Sequence, residues 1–345
     1  MTPHFSLLPF CFAALLLVAC KQEASQKTSP TQSRYATTGK IERFHPLLDS
    51  IIAFDANIEI LAEGFEWAEG PIWIKDGAFL LFTDIPPNRI MRWKEGEGTS
   101  IYLTPSGYTG KQTRTGEPGA NGLLLDGNGL LVLCQHGDRR VARMNAPLQQ
   151  PQPEFTTLAD RWDGKRLNSP NDAVFDSKGR LYFTDPPYGL EKQMDDPFKE
   201  IPFQGVYLLQ PDGTLNLLVD SLTRPNGIAF SPDERTLYVA NSDPNKAIWV
   251  AYDVQPDGML GHGRLFHDAT SKVSKEMPGL PDGLKVNAQG IIFATGPGGV
   301  WVFHPDGTIL GRIDTGQATS NCAFGNEGKA LYLTADDYLM RVWLK

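Results

Sequence analysis

One pattern recurs six times along the 345-residue chain and limits what it can fold into. Its clearest copy is Pro225-Asn226-Gly227-Ile228-Ala229-Phe230, then Ser231-Pro232-Asp233-Glu234-Arg235, then Thr236-Leu237-Tyr238-Val239-Ala240-Asn241. Read locally, this is a short apolar strand, a polar turn, and a second apolar strand ending in a polar residue. The other copies open at Glu69-Gly70-Pro71-Ile72-Trp73, Asn121-Gly122-Leu123, Asn171-Asp172-Ala173, Asp282-Gly283-Leu284 and Asn321-Cys322-Ala323. They lie roughly 40 to 55 residues apart, the period range of propeller blades. The pattern predicts an all-β fold, a six-bladed β-propeller. The last copy has room for only three strands before Lys345. An open ring would leave bare sheet edges, so the fourth, outer strand of that blade is expected from Ile58-Glu59-Ile60-Leu61 near the N-terminus.

The first residue of each copy carries the chemistry. Glu69, Asn121, Asn171, Asn226, Asp282 and Asn321 all end in a carboxylate or an amide oxygen. First strands line the central channel of a propeller, so these positions form a ring at one mouth. Hard oxygen donors carrying two formal negative charges suit a divalent cation such as Ca²⁺ and suit thiolate-seeking metals poorly. Any single Asn-Gly or Asp-Gly also reads as a turn signal at a strand start. Six aligned copies that include two acids favour the ring. In an antiparallel blade the second strands end at the same mouth, at Asp84, Gln135 with His136, Asp185 and Asn241. The longest connections, 104–117, 160–169, 186–201 and 268–281, fall there too, and loops crowding one face of a rigid scaffold are where binding sites usually lie.

Composition sets outer limits. A net charge of −8 argues against a nucleic-acid partner, which would need a basic face. Leu7 to Ala19 is apolar and too short to span a bilayer comfortably. It ends Leu17-Val18-Ala19-Cys20, which resembles the lipobox of bacterial lipoprotein signal peptides. That resemblance implies a signal peptide over 1–19, lipidation of Cys20, and a membrane attachment through it. Met1 to Ser6 departs from the pattern by carrying no Lys or Arg, and an ordinary secretory peptide is the alternative. Residues 20–40 are rich in Gln, Ser, Thr and Lys and read as a flexible tether, leaving 41–345 for the propeller. Lys21 stands where an Asp would mark inner-membrane retention. The expected location is therefore the bacterial cell envelope, facing the periplasm from the outer membrane. Cys134 and Cys322 fall in copies two and six, which are not neighbours. Two buried free thiols are expected rather than a disulfide.

Several stretches together resemble one family over residues 58–345. They are Glu69 to Trp73, Asn168-Ser169-Pro170-Asn171-Asp172, Tyr182 to Gly189, Pro225 to Phe230, and Pro281-Asp282-Gly283-Leu284. The family is that of senescence marker protein, gluconolactonase and luciferin-regenerating enzyme. The resemblance implies a six-bladed propeller, a divalent cation in the channel (commonly Ca²⁺, with Zn²⁺, Mg²⁺ or Mn²⁺ open), and hydrolysis of small lactones. It implies metal ligation by Glu69, Asn171, Asn226 and Asp282, with the Asn171 position touching substrate in some members. Ser169 stands where some sugar-lactone members carry an Arg, a departure that leaves open which sugar lactone is recognised. A lactone carbonyl on the cation would be polarised toward its tetrahedral oxyanion. Asp282 is the base the family implies. His136 is the alternative, since imidazole titrates near neutrality. Asn121, Asp185 and Tyr188 are expected on the substrate wall. Two other readings stay open: a non-catalytic binding platform, and another metal-dependent esterase on the same ring.

Overall fold

The computed structural model describes residues 1–4 and 34–345. Residues 5–19 of the expected signal segment, Cys20 and most of the expected tether lie outside the described residues. The chain divides into two units, 1–34 and 35–345, and the second is a propeller of six antiparallel sheets.

Each blade begins at an expected opening. Blade 1 runs Ala68–Ile74, Phe79–Asp84, Arg89–Lys94, Gly98–Leu103, and blade 2 runs Ala120–Leu125, Leu131–Gln135, Arg140–Met144, Phe155–Ala159. Blade 3 runs Ala173–Phe175, Leu181–Asp185, Gly205–Leu209, Leu215–Val219. Blade 4 runs Pro225–Phe230, Thr236–Asp243, Lys246–Val254, Leu260–Asp268. Blade 5 holds Leu284–Val286, Ile292–Gly296, Gly299–Phe303 and Ile309–Asp314, and blade 6 holds Thr319–Gly325, Ala330–Ala335 and Tyr338–Trp343.

The core is divided among the contacts between neighbouring blades. Both faces of every inner sheet are covered, so the second strands read as unbroken apolar runs such as Phe79-Leu80-Leu81-Phe82. Six apolar clusters fill the six gaps. Phe82 and Trp93 of blade 1 meet Tyr332 of blade 6, and Cys134 of blade 2 meets Phe183 and Tyr207 of blade 3. Burying a side chain such as Phe82 or Phe183 stabilises the fold by roughly 1.5–3 kcal/mol. Cys134 and Cys322 are buried free thiols, as expected.

The ring closes as the sequence suggests. Ile58–Glu63 pairs antiparallel with Tyr338–Trp343, Val342 opposite Ile58 and Tyr338 opposite Glu63. More of the N-terminal segment is ordered than expected. Thr37–Thr38 adds outside Ile58–Glu59, and Lys40–Arg43 adds a fifth strand to blade 5 along Gly311 to Asp314. The propeller therefore starts at Tyr35 rather than at 41, and the last residues of the expected tether belong to it.

A buried ion pair locks this seam. Arg341 on the last strand donates to Glu59 on the closing strand at 2.7 Å, and to Glu95 of blade 1 at 2.6 Å. Its guanidinium stacks over Trp343, 4.3 Å from the ring centroid. Removing one partner strands the other charge in the interior, so Arg341→Met is expected to cost about 3–5 kcal/mol in urea unfolding. The double variant Arg341→Met/Glu59→Met should lose less than the single one. A single-variant loss below about 1 kcal/mol would show that the pair does not hold the seam.

Candidate active site

The mouth of the channel is built from inner strands pressed unusually close. At Gly70, φ is +51°, and a Cβ there would collide with the Asn121 carbonyl oxygen of the next blade. A Cβ at Gly227 would likewise meet the Asp282 carbonyl. The glycines after the ring residues are thus sites of close backbone approach, and the turn reading of Asn-Gly is not what the structure shows. Hydroxyls bridge four of the six junctions: Thr83 donates to the Asn121 carbonyl at 3.2 Å and Thr184 to the Asn226 carbonyl at 2.7 Å. Thr295 donates to the Ser320 carbonyl at 3.0 Å, and Ser320 to the Ala68 carbonyl at 2.6 Å. Ring positions on neighbouring blades are therefore spaced by direct backbone contact.

Five of the six ring residues, Glu69, Asn121, Asn171, Asn226 and Asp282, line one cavity of about 400 Å³. Three of the four long loops reach it, through Glu117, through Tyr188, and through Val273 to Leu280. The fourth, 160–169, folds into a small hairpin of Arg161–Trp162 with Lys165–Arg166 and takes no part. Asn321, the sixth ring residue, turns aside. Its Nδ2 donates to Glu69 Oε2 at 3.0 Å, while its Oδ1 accepts from Lys285 Nζ at 3.3 Å.

The electrostatics are those of carboxylates taken out of water. Burial pushes the Glu69 carboxyl up to about 7, against the pull of the Gly70 N–H and the Asn321 amide. Burial, followed by the neighbouring Glu69 charge, holds Asp282 well above the usual carboxylate range. Asn121 Oδ1, Asn171 Oδ1 and Asp282 Oδ1 are buried with no hydrogen-bond partner. Unsatisfied buried oxygens are costly, and three of them facing one cavity with a carboxylate pair are what a hard cation would satisfy. Among the described residues no group of three or more His, Cys, Asp or Glu gathers as a metal site. The donor set is two carboxylates completed by amide oxygens.

Two expected residues do not reach the cavity. Asp185 is fully buried, its oxygens accepting from the backbone N–H groups of Asn168 at 2.7 Å and Ser169 at 2.8 Å. It clamps the chain entering blade 3 and is not among the residues lining the cavity. Asp84 and Asn241 do the same in their blades, accepting from Glu66 N and Arg224 N. His136 is also fully buried, its Nδ1 3.4 Å from Glu117 Oε2. It touches Glu117 and is not among the residues lining the cavity. Tyr188 does line the cavity, and burial raises its phenol. The sequence reading passed over Glu117, Trp67 and Arg224. Trp67 and Arg224 sit two residues before Glu69 and Asn226, so strand alternation carries a signal for both; Glu117 closes a loop and has none.

Comparison with known proteins agrees with this architecture. The chain is 41% identical over 320 residues to a protein named gluconolactonase from Zymomonas mobilis, covering 90% of this chain and 87% of that one. A solved structure from Xanthomonas campestris described as a gluconolactonase superposes with a TM-score of 0.76 at 31% identity, covering 91% and 98%. An Agrobacterium tumefaciens regucalcin described as a calcium-binding protein shares the fold, with a TM-score of 0.64 at 18% identity over 83% and 94%. Residues 67–337 match the family described as the SMP-30/Gluconolactonase/LRE-like region, and the chain belongs to that family.

Proposed function

We propose that this protein is a divalent-cation-dependent lactonase that opens small, sugar-derived lactones. One observation carries the reading: Glu69 and Asp282 converge with unpartnered amide oxygens in a single cavity. The chain holding that cavity is 41% identical to a protein named gluconolactonase.

Glu69, Asn171, Asn226 and Asp282 would hold the cation, with Asn121 close by. The donor chemistry favours Ca²⁺, and Zn²⁺, Mg²⁺ and Mn²⁺ are tested beside it. When bound, such a cation supplies Lewis acidity to a lactone carbonyl. The remaining work falls to side chains. Hydrolysis joins a water oxygen to the carbonyl carbon and breaks the ring C–O bond. One proton of the water passes to the departing ring oxygen, giving an open-chain hydroxy acid. Asp282 is the proton carrier in this reading, as the second carboxylate that lines the cavity beside Glu69. Tyr188 and Asn121 border the same space and would orient the ring. The unmodified thiols Cys134 and Cys322 lie in the blade cores and take no part.

The carboxylates generate a pH prediction. In metal-stripped protein, Glu69 binds a proton more tightly folded, at about 7, than unfolded, at 4.5. That contribution to stability is present below the unfolded value and is lost as pH rises through the folded one. The melting temperature of chelator-treated protein should therefore fall between about pH 5 and 8. Added Ca²⁺ should restore it most at the alkaline end, by about 2.7 kcal/mol at a hundredfold excess over Kd. Calorimetry showing no shift with any of the four cations would count against the cage.

Asp282→Asn keeps size and removes the base. It should lower kcat for glucono-δ-lactone at least ~10²-fold, read by proton release. No turnover by the cation-loaded wild type across gluco-, galacto- and aliphatic lactones would sink the lactonase reading and promote a binding platform.

Location is a separate proposal: the enzyme works tethered to the outer membrane, facing the periplasm, through a lipidated Cys20. It rests on Leu17-Val18-Ala19-Cys20. Native protein should partition into detergent, and Cys20→Ala should abolish this. Wild type with an unmodified, water-soluble N-terminus would end the idea.

A further inference from the structure

The geometry points to Glu117 and Arg224 as the pair that recognises the hydroxyls of a neutral, polyhydroxylated lactone, with His136 as the residue that positions Glu117. The inference rests on the lactonase reading for its substrate class, while its binding half can be tested without turnover.

Both residues line the cavity that holds Glu69 and Asp282. They carry opposite charges and do not pair with each other. Glu117 lies against buried His136, at 3.4 Å. The Arg224 guanidinium makes no hydrogen bond or ion pair with any described residue; only its backbone is held. Its N–H donates to Asn241 Oδ1 at 2.8 Å, and its carbonyl accepts from Ser242 N at 2.8 Å. The following Pro225 fixes the chain further. Glu117 is set with equal care from the other side. The carbonyls of Pro118 and Gly119 accept from Gly137 N and His136 N, each at 3.2 Å. His136 is wedged against Gly189, where a Cβ would strike its own. Neither imidazole nitrogen has a hydrogen-bond partner in the protein, so Glu117 is the polar group this ring can serve.

Charge decides the ligand class. A divalent cation would cancel Glu69 and Asp282, and Glu117 and Arg224 cancel each other. The residues lining the cavity then carry no net charge that would select an acidic lactone over a neutral one. A guanidinium only donates and a carboxylate only accepts. Hydroxyls do both, so a ring bearing several of them can accept from Arg224 while donating to Glu117. A bare aliphatic lactone offers neither contact and leaves both groups poorly solvated.

The test compares glucono-δ-lactone with δ-valerolactone, its hydroxyl-free counterpart, as a ratio of kcat/KM. Glu117→Gln and Arg224→Met, on separate elements, should each lower that ratio at least about tenfold, mainly through KM for the hydroxylated substrate. His136→Asn should lower it too, and the double variant His136→Asn/Glu117→Gln should be no worse than Glu117→Gln alone. Additive losses would reduce His136 to a packing residue and overturn its role. Calorimetric titration with methyl β-D-glucopyranoside, which cannot be opened, gives the second readout. Wild type should bind it more tightly than tetrahydropyran, and Glu117→Gln should lose at least about fivefold. This pattern in a wild type that hydrolyses no lactone would uphold the recognition pair while refuting the lactonase reading. An unchanged ratio, or no preference for the glycoside, would overturn the pair itself.

Discussion

The structure depends on how closely one blade's backbone can approach the next at the channel mouth. Gly70 and Gly227 admit the carbonyls of Asn121 and Asp282 where any side chain would exclude them. Hydroxyls of Thr83, Thr184, Thr295 and Ser320 bond the same inner rim. Six inner strands held at backbone contact leave little freedom in the spacing of the residues they carry. That spacing is what lets Glu69 of blade 1 and Asp282 of blade 5 share one cavity although they are far apart in sequence. Preorganisation of this kind comes from the scaffold and not from the loops.

The same closeness is electrostatically unfavourable without a ligand. Burial raises the proton affinity of both carboxylates, the Glu69 charge raises that of Asp282 further, and three amide or carboxylate oxygens lack partners. Apolar wedges between the blades supply the stability that such a mouth draws on, with Trp93, Trp249 and Phe303 fully buried among them. Strain concentrated at a site and relieved by what binds there is a recurrent arrangement of functional centres.

Much of this was legible in the sequence because propeller blades repeat. The six openings, the closing strand from Ile58, and the crowding of loops on one face follow from period and polarity alone. The ring was legible as oxygen donors at equivalent positions, and five of the six line the cavity. What escaped was the side-chain direction at the polar ends of the second strands. Asp185 and His136 read as pocket residues by position. Asp185 instead neutralises backbone N–H groups of an incoming loop, a local demand that composition does not display. Asn321 was drawn off by Lys285, a contact across blades that no linear spacing encodes. Lys40–Arg43 carries too little apolar character to announce a strand, and it is one because blade 5 offers an unpaired edge.

The closing seam also determines where mechanical load enters the molecule. The chain leaving Tyr35 runs directly into Thr37–Thr38 and Lys40–Arg43, the outermost strands of blades 6 and 5. Any pull on the preceding residues is therefore delivered first to those two short ladders and then to the Glu59–Arg341 lock. The ladders act as a mechanical fuse: Thr37–Thr38 and Lys40–Arg43 can peel away while Ile58–Glu63 keeps the ring shut. Peeling of these two ladders would lengthen the segment from Tyr35 to Asn57 without opening the channel mouth.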